Sequence, residues 1–139
     1  MLALDTDHLT ELGYATAPGK RLATRLAEAD GEVAITIISV EEQMRGWLAK
    51  IAGAKAVTEQ TRAYAALGQR VNFLAGFDQL PWDRGAASRF ERFRKSGIRI
   101  GTLDLRIACI AIERGALLLT RNSVDFEKVP GLRFENWLD

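Results

Sequence analysis

Asp5, Glu42, Asp104 and Asp125 stand at the joints between apolar runs of this chain, with Asn122 close before the last of them. The single His8 excludes paired-histidine catalysis and HExxH-type metal sites, and the single Cys109 excludes an internal disulfide and every multi-cysteine zinc site. Chemistry therefore falls to oxygen groups. Carboxylates brought together from widely separated parts of a chain suit a hard divalent cation such as Mg²⁺ or Mn²⁺, which prefers carboxylate and water to nitrogen or sulfur. Without a cation such a cluster repels itself and raises the pKa of one or more members. Each acid also has an ordinary structural role open to it. Asp5 or Asp7 can cap the helix that follows, Asp104 can be a first-turn acid, Glu42 can be a solvated neighbour of Glu41, and Asp125 can cap the turn before Phe126. The ordinary role suits Asp5 least, because its carboxylate follows directly on an apolar strand.

The elements that must position these groups read as strands separated by helices. Leu2-Ala3-Leu4 is a short buried strand that stops at Asp5-Thr6-Asp7. Leu9 and Leu12, then Leu22, Leu26 and Ala29, predict two helices with a turn at Pro18-Gly19. Val33 to Ile38 is apolar on both faces, as expected for a strand inside a parallel sheet covered by helices, and Ser39 is placed to cap a helix carrying Val40, Met44, Trp47, Leu48 and Ile51. A long helix from about Ala56 to Gly76 places Val57, Thr61, Tyr64, Leu67, Val71 and Leu74 on one side. Phe77 to Trp82 is extended, and Asp83 caps a helix that turns Ala86, Phe90 and Phe93 inward. Leu103 to Ile112 is helical, Ala116 to Thr120 is a third buried strand, and a last short strand lies near Leu132 to Phe134. The expected fold is α/β with a central, mostly parallel sheet flanked by helices, and ligands in such sheets bind outside the carboxyl ends of the strands, where the acids fall.

The chain has 139 residues, enough for one domain, 1–139, with a sizeable core, and no internal repeat or linker divides it. Lys and Arg number 19 against 18 Asp and Glu, so a net charge of +1 removes the simple argument for a nucleic-acid binder from overall basicity. No stretch approaches the ~20 apolar residues of a membrane span and no signal-like segment opens the chain, so a cytoplasmic protein without membrane contact is the expectation.

Four segments together resemble a known family. Leu4-Asp5-Thr6-Asp7, Ser39-Val40-Glu41-Glu42-Gln43-Met44-Arg45-Gly46, Gly101-Thr102-Leu103-Asp104-Leu105-Arg106-Ile107-Ala108 and Thr120-Arg121-Asn122-Ser123-Val124-Asp125-Phe126, with Val129-Pro130-Gly131-Leu132 after it, resemble the successive motifs of PIN-domain ribonucleases. The match is nearest to the VapC-like toxins of prokaryotic toxin–antitoxin modules and spans essentially the whole chain. The resemblance implies a three-layer PIN-like domain and a Mg²⁺- or Mn²⁺-dependent endoribonuclease. It also implies a homodimer neutralised by a small VapB-like antitoxin, with DNA contacted only through that antitoxin. Carried over residue by residue, Asp5 and Asp104 match the principal metal-binding acids, and Glu42 matches the acid before the helix glycine, here Gly46. Asn122 and Asp125 share the last motif, where a further acid occupies one position or the other; Asn122 is neutral, which leaves Asp125. Asp7 departs from the more usual Asn. Thr6, Ser39 and Thr120 look like hydroxyls that orient the carboxylates.

RNA would need attraction to an acidic pocket. Arg84, Arg89, Arg92, Arg94, Lys95, Arg99 and Arg106 could form a basic rim or simply a solvated helix face, with Arg106 and Arg121 nearest the acids in sequence. Trp47 and Trp82 are candidates for base stacking or for packing. Two other readings remain open. An apolar strand ending in Asp5-Thr6-Asp7 also resembles the nucleophile motif of haloacid-dehalogenase-like phosphatases, with Thr36 or Ser39 as phosphate-binding hydroxyl, although no motif lysine stands in place and the chain is short for that fold. The other is a PIN-like module that binds RNA or protein without cutting. No Gly-rich phosphate loop is present.

Overall fold

A computed structural model describes residues 1–139. The elements in order are β1 (Leu2–Leu4), α1 (Thr6–Gly13), α2 (Ala17–Glu28), β2 (Val33–Thr36), α3 (Ile37–Gly53), α4 (Val57–Ala75), β3 (Asp78–Leu80), α5 (Arg84–Lys95), α6 (Thr102–Glu113), β4 (Leu117–Leu119), α7 (Ser123–Phe126) and β5 (Phe134–Glu135). The strands form one sheet in the order β3-β2-β1-β4-β5, parallel throughout. Such a sheet must be covered on both faces, and the strand side chains divide accordingly. Ala3, Ala34 and Leu118, which are register partners, face one core with Leu105, Ala108 and Ala111 of α6. Their neighbours Leu4, Ile35 and Leu119 face a second core with Leu9 of α1, Leu22 of α2, Leu74 of α4 and Leu138 near the C-terminus.

The same register sets up the site. Leu4 pairs with both Ile35 and Leu119, so the next residues, Asp5, Thr36 and Thr120, emerge side by side at the carboxyl ends of three adjacent strands. The Asp5 N–H donates to the Leu119 carbonyl (2.9 Å) and extends the pairing to the rim.

Several local expectations are corrected. β2 stops at Thr36, and Ile37 and Ile38 already belong to α3, because the Thr36 hydroxyl accepts the Ser39 N–H (3.1 Å) and so caps the helix in place of Ser39. Pro18 and Gly19 lie within the first turn of α2, where a missing proline N–H costs nothing, and Thr16 is the cap. The stripe on α4 is helical as expected but mostly unburied: Val57, Tyr64 and Val71 are exposed, and Arg70 and Leu74 are the buried residues of that helix. The last strand, expected near Leu132 to Phe134, lies at Phe134–Glu135 and so starts later than expected.

Candidate active site

Asp5 is held from two sides. The Thr6 N–H donates to Oδ1 (2.8 Å), which makes Asp5 the cap of α1, and the Thr120 hydroxyl at the end of β4 donates to Oδ2 (2.7 Å). The structural role open to Asp5 is therefore real and does not compete with a chemical one. Burial, with the Asp7 carboxylate beside it, pushes the Asp5 carboxyl up to about 7 against the two hydrogen bonds, and Asp104 adds to the rise. Only 5% of the residue is exposed.

From Asp5 a chain of polar contacts reaches the other acids. The Thr6 hydroxyl donates to Glu42 Oε1 on α3 (3.2 Å) and lies 3.5 Å from the buried Ser39 hydroxyl. On the other flank the Asn122 N–H donates to Thr120 Oγ1 (3.0 Å). The Asn122 amide then donates to both Asp104 Oδ2 (3.3 Å) and Asp125 Oδ2 (3.1 Å). Asn122 thus takes the place of an acid by cross-linking the two carboxylates that flank it, and it caps α7 as well. Burial raises Glu42, with further increments from Asp104 and Glu41; burial also raises Asp104, and Asp125 adds to it. Carboxylates that raise one another describe a site of concentrated negative charge. None of Asp5, Glu42 and Asp104 is ion-paired, and Asp125 meets only Lys128 (3.7 Å).

The donors are all oxygen, those of Asp5, Glu42 and Asp104 have no ion-pair partner, and they lie at the mouth of a parallel sheet, which fits a hard cation. No three His, Cys, Asp or Glu side chains close on one point as a preformed cage.

Asp7 does something the sequence did not disclose. Its Oδ2 accepts the Arg121 N–H (2.9 Å) and its Oδ1 meets His8 Nδ1 (2.6 Å). Burial pushes Asp7 up, but these bonds outweigh it and hold the carboxyl below its ordinary range. His8 is fully buried, and its Nε2 accepts the Trp137 N–H (3.1 Å), which leaves the ring proton on Nδ1 facing Asp7. Asp7 and His8 therefore tie the C-terminal segment to the rim; a polar residue at the inward side of a short amphipathic helix was the available signal.

The basic residues are placed differently from one another. Arg106 lies over the rings of Trp82 and Phe90 (5.7 and 5.8 Å), and Trp82 and Phe90 pack edge to face beside it. Arg121 pairs with Glu11 and Asp139 beside the site. On and just after α5, Arg89 pairs with Glu113 and Arg94 donates to the carbonyls of Ile98 and Ile100, whereas Arg84, Arg92, Lys95 and Arg99 are exposed and unpaired. Thr36, one of the two hydroxyls offered for the phosphatase reading, is fully buried and occupied as a helix cap.

No protein-family model matches the chain. It is 28% identical over 120 residues to "Ribonuclease VapC1" of Haemophilus influenzae, covering 85% of each chain. Over 69 residues it is 36% identical to "tRNA(fMet)-specific endonuclease VapC" of Shigella flexneri, 47% of this chain and 52% of that one. In structure it matches a chain of the DNA-bound VapBC from Salmonella typhimurium with a TM-score of 0.73 at 24% identity, over 99% of both. In sequence the chain is similar to these VapC ribonucleases, and it shares its fold with the matched chain of the VapBC complex.

Proposed function

We propose that the protein is an endoribonuclease and the toxin of a toxin–antitoxin pair, hydrolysing RNA phosphodiester bonds with Mg²⁺ or Mn²⁺ held by Asp5 and Asp104. One observation carries the metal reading: the continuous run Glu42–Thr6–Asp5–Thr120–Asn122–Asp104/Asp125, which gathers four carboxylates at the strand ends with a single cation, Lys128, among them. The names of the relatives support the ribonuclease reading, and the VapBC complex supports a VapB-like partner.

A bound hard cation supplies polarisation of the phosphate and a water of lowered pKa. The rest is the work of this chain. Thr6 N–H and Thr120 fix both oxygens of Asp5 so that its carboxylate keeps one orientation, and Asn122 does the same for Asp104 and Asp125. Glu42 is raised by burial and faces the groove beside Thr10 and Gln43, which suits it to accept a proton from an attacking water.

Asp5→Asn and Asp104→Asn each keep the side-chain shape and remove a charge. Mg²⁺-dependent cleavage of RNA by the purified protein, and growth arrest on induction, are expected to fall to background in both, with circular dichroism unchanged. Undiminished cleavage by the two variants would remove the metal assignment.

A further inference from the structure

Beyond the acids, α1, α3 and α4 enclose a cavity of about 160 Å³ lined by Gly13, Tyr14, Trp47, Gln69, Arg70 and Phe73. Arg70 is 6% exposed and makes no hydrogen bond or ion pair within the chain; its Nη1 is enclosed without a partner. The guanidinium lies 4.6 Å from the centre of the Tyr14 ring and 5.1 Å from that of Phe73. Gly13 leaves the space it occupies, since a Cβ there would stand 2.2 Å from Nη1. A guanidinium keeps its charge at any working pH, and a buried charge without a partner is costly to maintain. An anion entering the cavity would relieve that cost.

A second cavity of about 250 Å³ shares Tyr14 and Trp47 with the first and is otherwise lined by Thr10, Glu42, Gln43, Gly46 and Lys50. Side by side, the two cavities have Glu42 in the lining of one and Arg70 in the lining of the other. Lys50 sits over the Trp47 ring (4.1 Å), so the two cavities offer cation and ring together there and again at Arg70 and Tyr14. Along α3, Glu42 to Lys50 spans about 12 Å, or some three nucleotides at roughly 3.4 Å per stacked base. A ligand with an anion and a flat ring in every repeat matches this alternation; a peptide does not repeat either.

We propose that the Arg70 cavity is a nucleotide subsite of the RNA groove, in which Arg70 receives a backbone phosphate and Trp47 and Tyr14 receive a base. The inference rests on the ribonuclease reading and extends it, placing RNA flanking the scissile bond over α3 toward α4.

Binding and cleavage are tested apart. A fluorescein-labelled, randomised 12-nucleotide single-stranded RNA is titrated into the Asp104→Asn protein, with and without Arg70→Gln or Trp47→Ala. Either substitution is expected to raise the Kd about ten-fold, the scale of losing one stacked or ion-paired nucleotide. The exposed Arg62→Gln on the same helix is expected to leave it unchanged. RNA should also quench tryptophan emission in the parent and not in Trp47→Phe. Arg70→Gln removes an unpaired buried charge, so it should melt no lower than its parent, and Trp47→Ala gives an independent reading if it does. Equal Kd values for parent and both variants, or no binding by the parent, overturn the subsite. So does an acidic pentapeptide that displaces RNA from the parent but not from Arg70→Gln at lower concentration than inorganic phosphate, which would assign the cavity to a protein segment. Cleavage of the same 12-mer by the wild-type chain with Mg²⁺ is scored separately. Its absence would overturn the ribonuclease reading alone, and its presence with unaltered Kd values would overturn the subsite alone.

Discussion

Among the carboxylates Asp5 is the most enclosed, and its carboxyl is pushed up to about 7 by burial first and by Asp7 and Asp104 besides. An acid whose folded pKa lies above its unfolded value of 3.8 favours folding while protonated and loses that contribution as pH rises toward the folded value. Below about pH 4 Asp5 is protonated in folded and unfolded chains alike and adds no cost; above about pH 7 it is charged in both, and the full cost of enclosing the charge, about 4 kcal/mol, is felt. The metal-free protein should therefore lose stability across the window from about pH 4 to 7 through this group. Differential scanning calorimetry with a chelator checks the direction, and adding Mg²⁺ should raise the melting temperature more at pH 8 than at pH 5.5. A melting temperature that rises steadily through the window, or an equal Mg²⁺ effect at both values, would contradict the account of Asp5. At the same scale Cys109 needs no chemical role: it is fully buried in the α6 core and its thiol is pushed up to about 11, where it is inert at neutral pH.

The elements act as holders, and α1 is the critical one, since it carries Thr6 toward Asp5 and Glu42, and Asp7 and His8 toward the C-terminal segment. It is braced by α2 through a close approach at Gly19, where a Cβ would stand 2.0 Å from the Glu11 carbonyl oxygen and 2.6 Å from its carbon. Backbone cannot yield as a flexible side-chain end can. Gly19→Ala is expected to destabilise the fold by about 2–3 kcal/mol and to lower activity with it by displacing α1. Urea unfolding measures the first effect, and a loss under about 0.5 kcal/mol would mean that the helices separate freely. The helix caps tell a related story. Thr36 rather than Ser39 caps α3, and that shift leaves the Ser39 hydroxyl directed at Thr6 and Thr36 inside the site.

For the molecule as a whole, a net charge of +1 conceals a division between acids at the strand ends and exposed Arg84, Arg92, Lys95 and Arg99 on and after α5. The rim is narrower than the run of basic residues suggests, because Arg89 and Arg94 are engaged within the fold. If the free residues meet RNA phosphates, each contact contributes about 0.7 to the slope of log K against log salt for a single strand. The Arg92→Gln, Lys95→Gln double variant should then show a slope shallower by about 1.4 in the same fluorescence titration. An unchanged slope would place the RNA off this face. No helix is long and apolar enough to cross a membrane. The exposed Val57, Tyr64 and Val71 leave the apolar side of α4 largely uncovered within a single chain.

The alternation of apolar runs and helical stripes was enough to place β1, β2, β4 and the long helices, because burial on both faces of a parallel sheet demands it. Residue type alone limited the chemistry to oxygen ligands, since one histidine and one cysteine leave no other set. The positions of Asp5, Glu42, Asp104 and Asp125 relative to those runs put them at the element joints as candidates, and the structure brings the four together. Local energetics hid the end of β2, where a strand-forming run, Ile37 and Ile38, is overruled by a threonine cap. Contacts between distant segments are not written in any local pattern. Tertiary structure alone made Asn122 the bridge between Asp104 and Asp125, turned Arg106 into the rings of Trp82 and Phe90, and tied Asp7 to the Arg121 backbone. It also buried Arg70 of α4 without a hydrogen-bond partner, because that depends on how α1, α3 and α4 pack around one guanidinium.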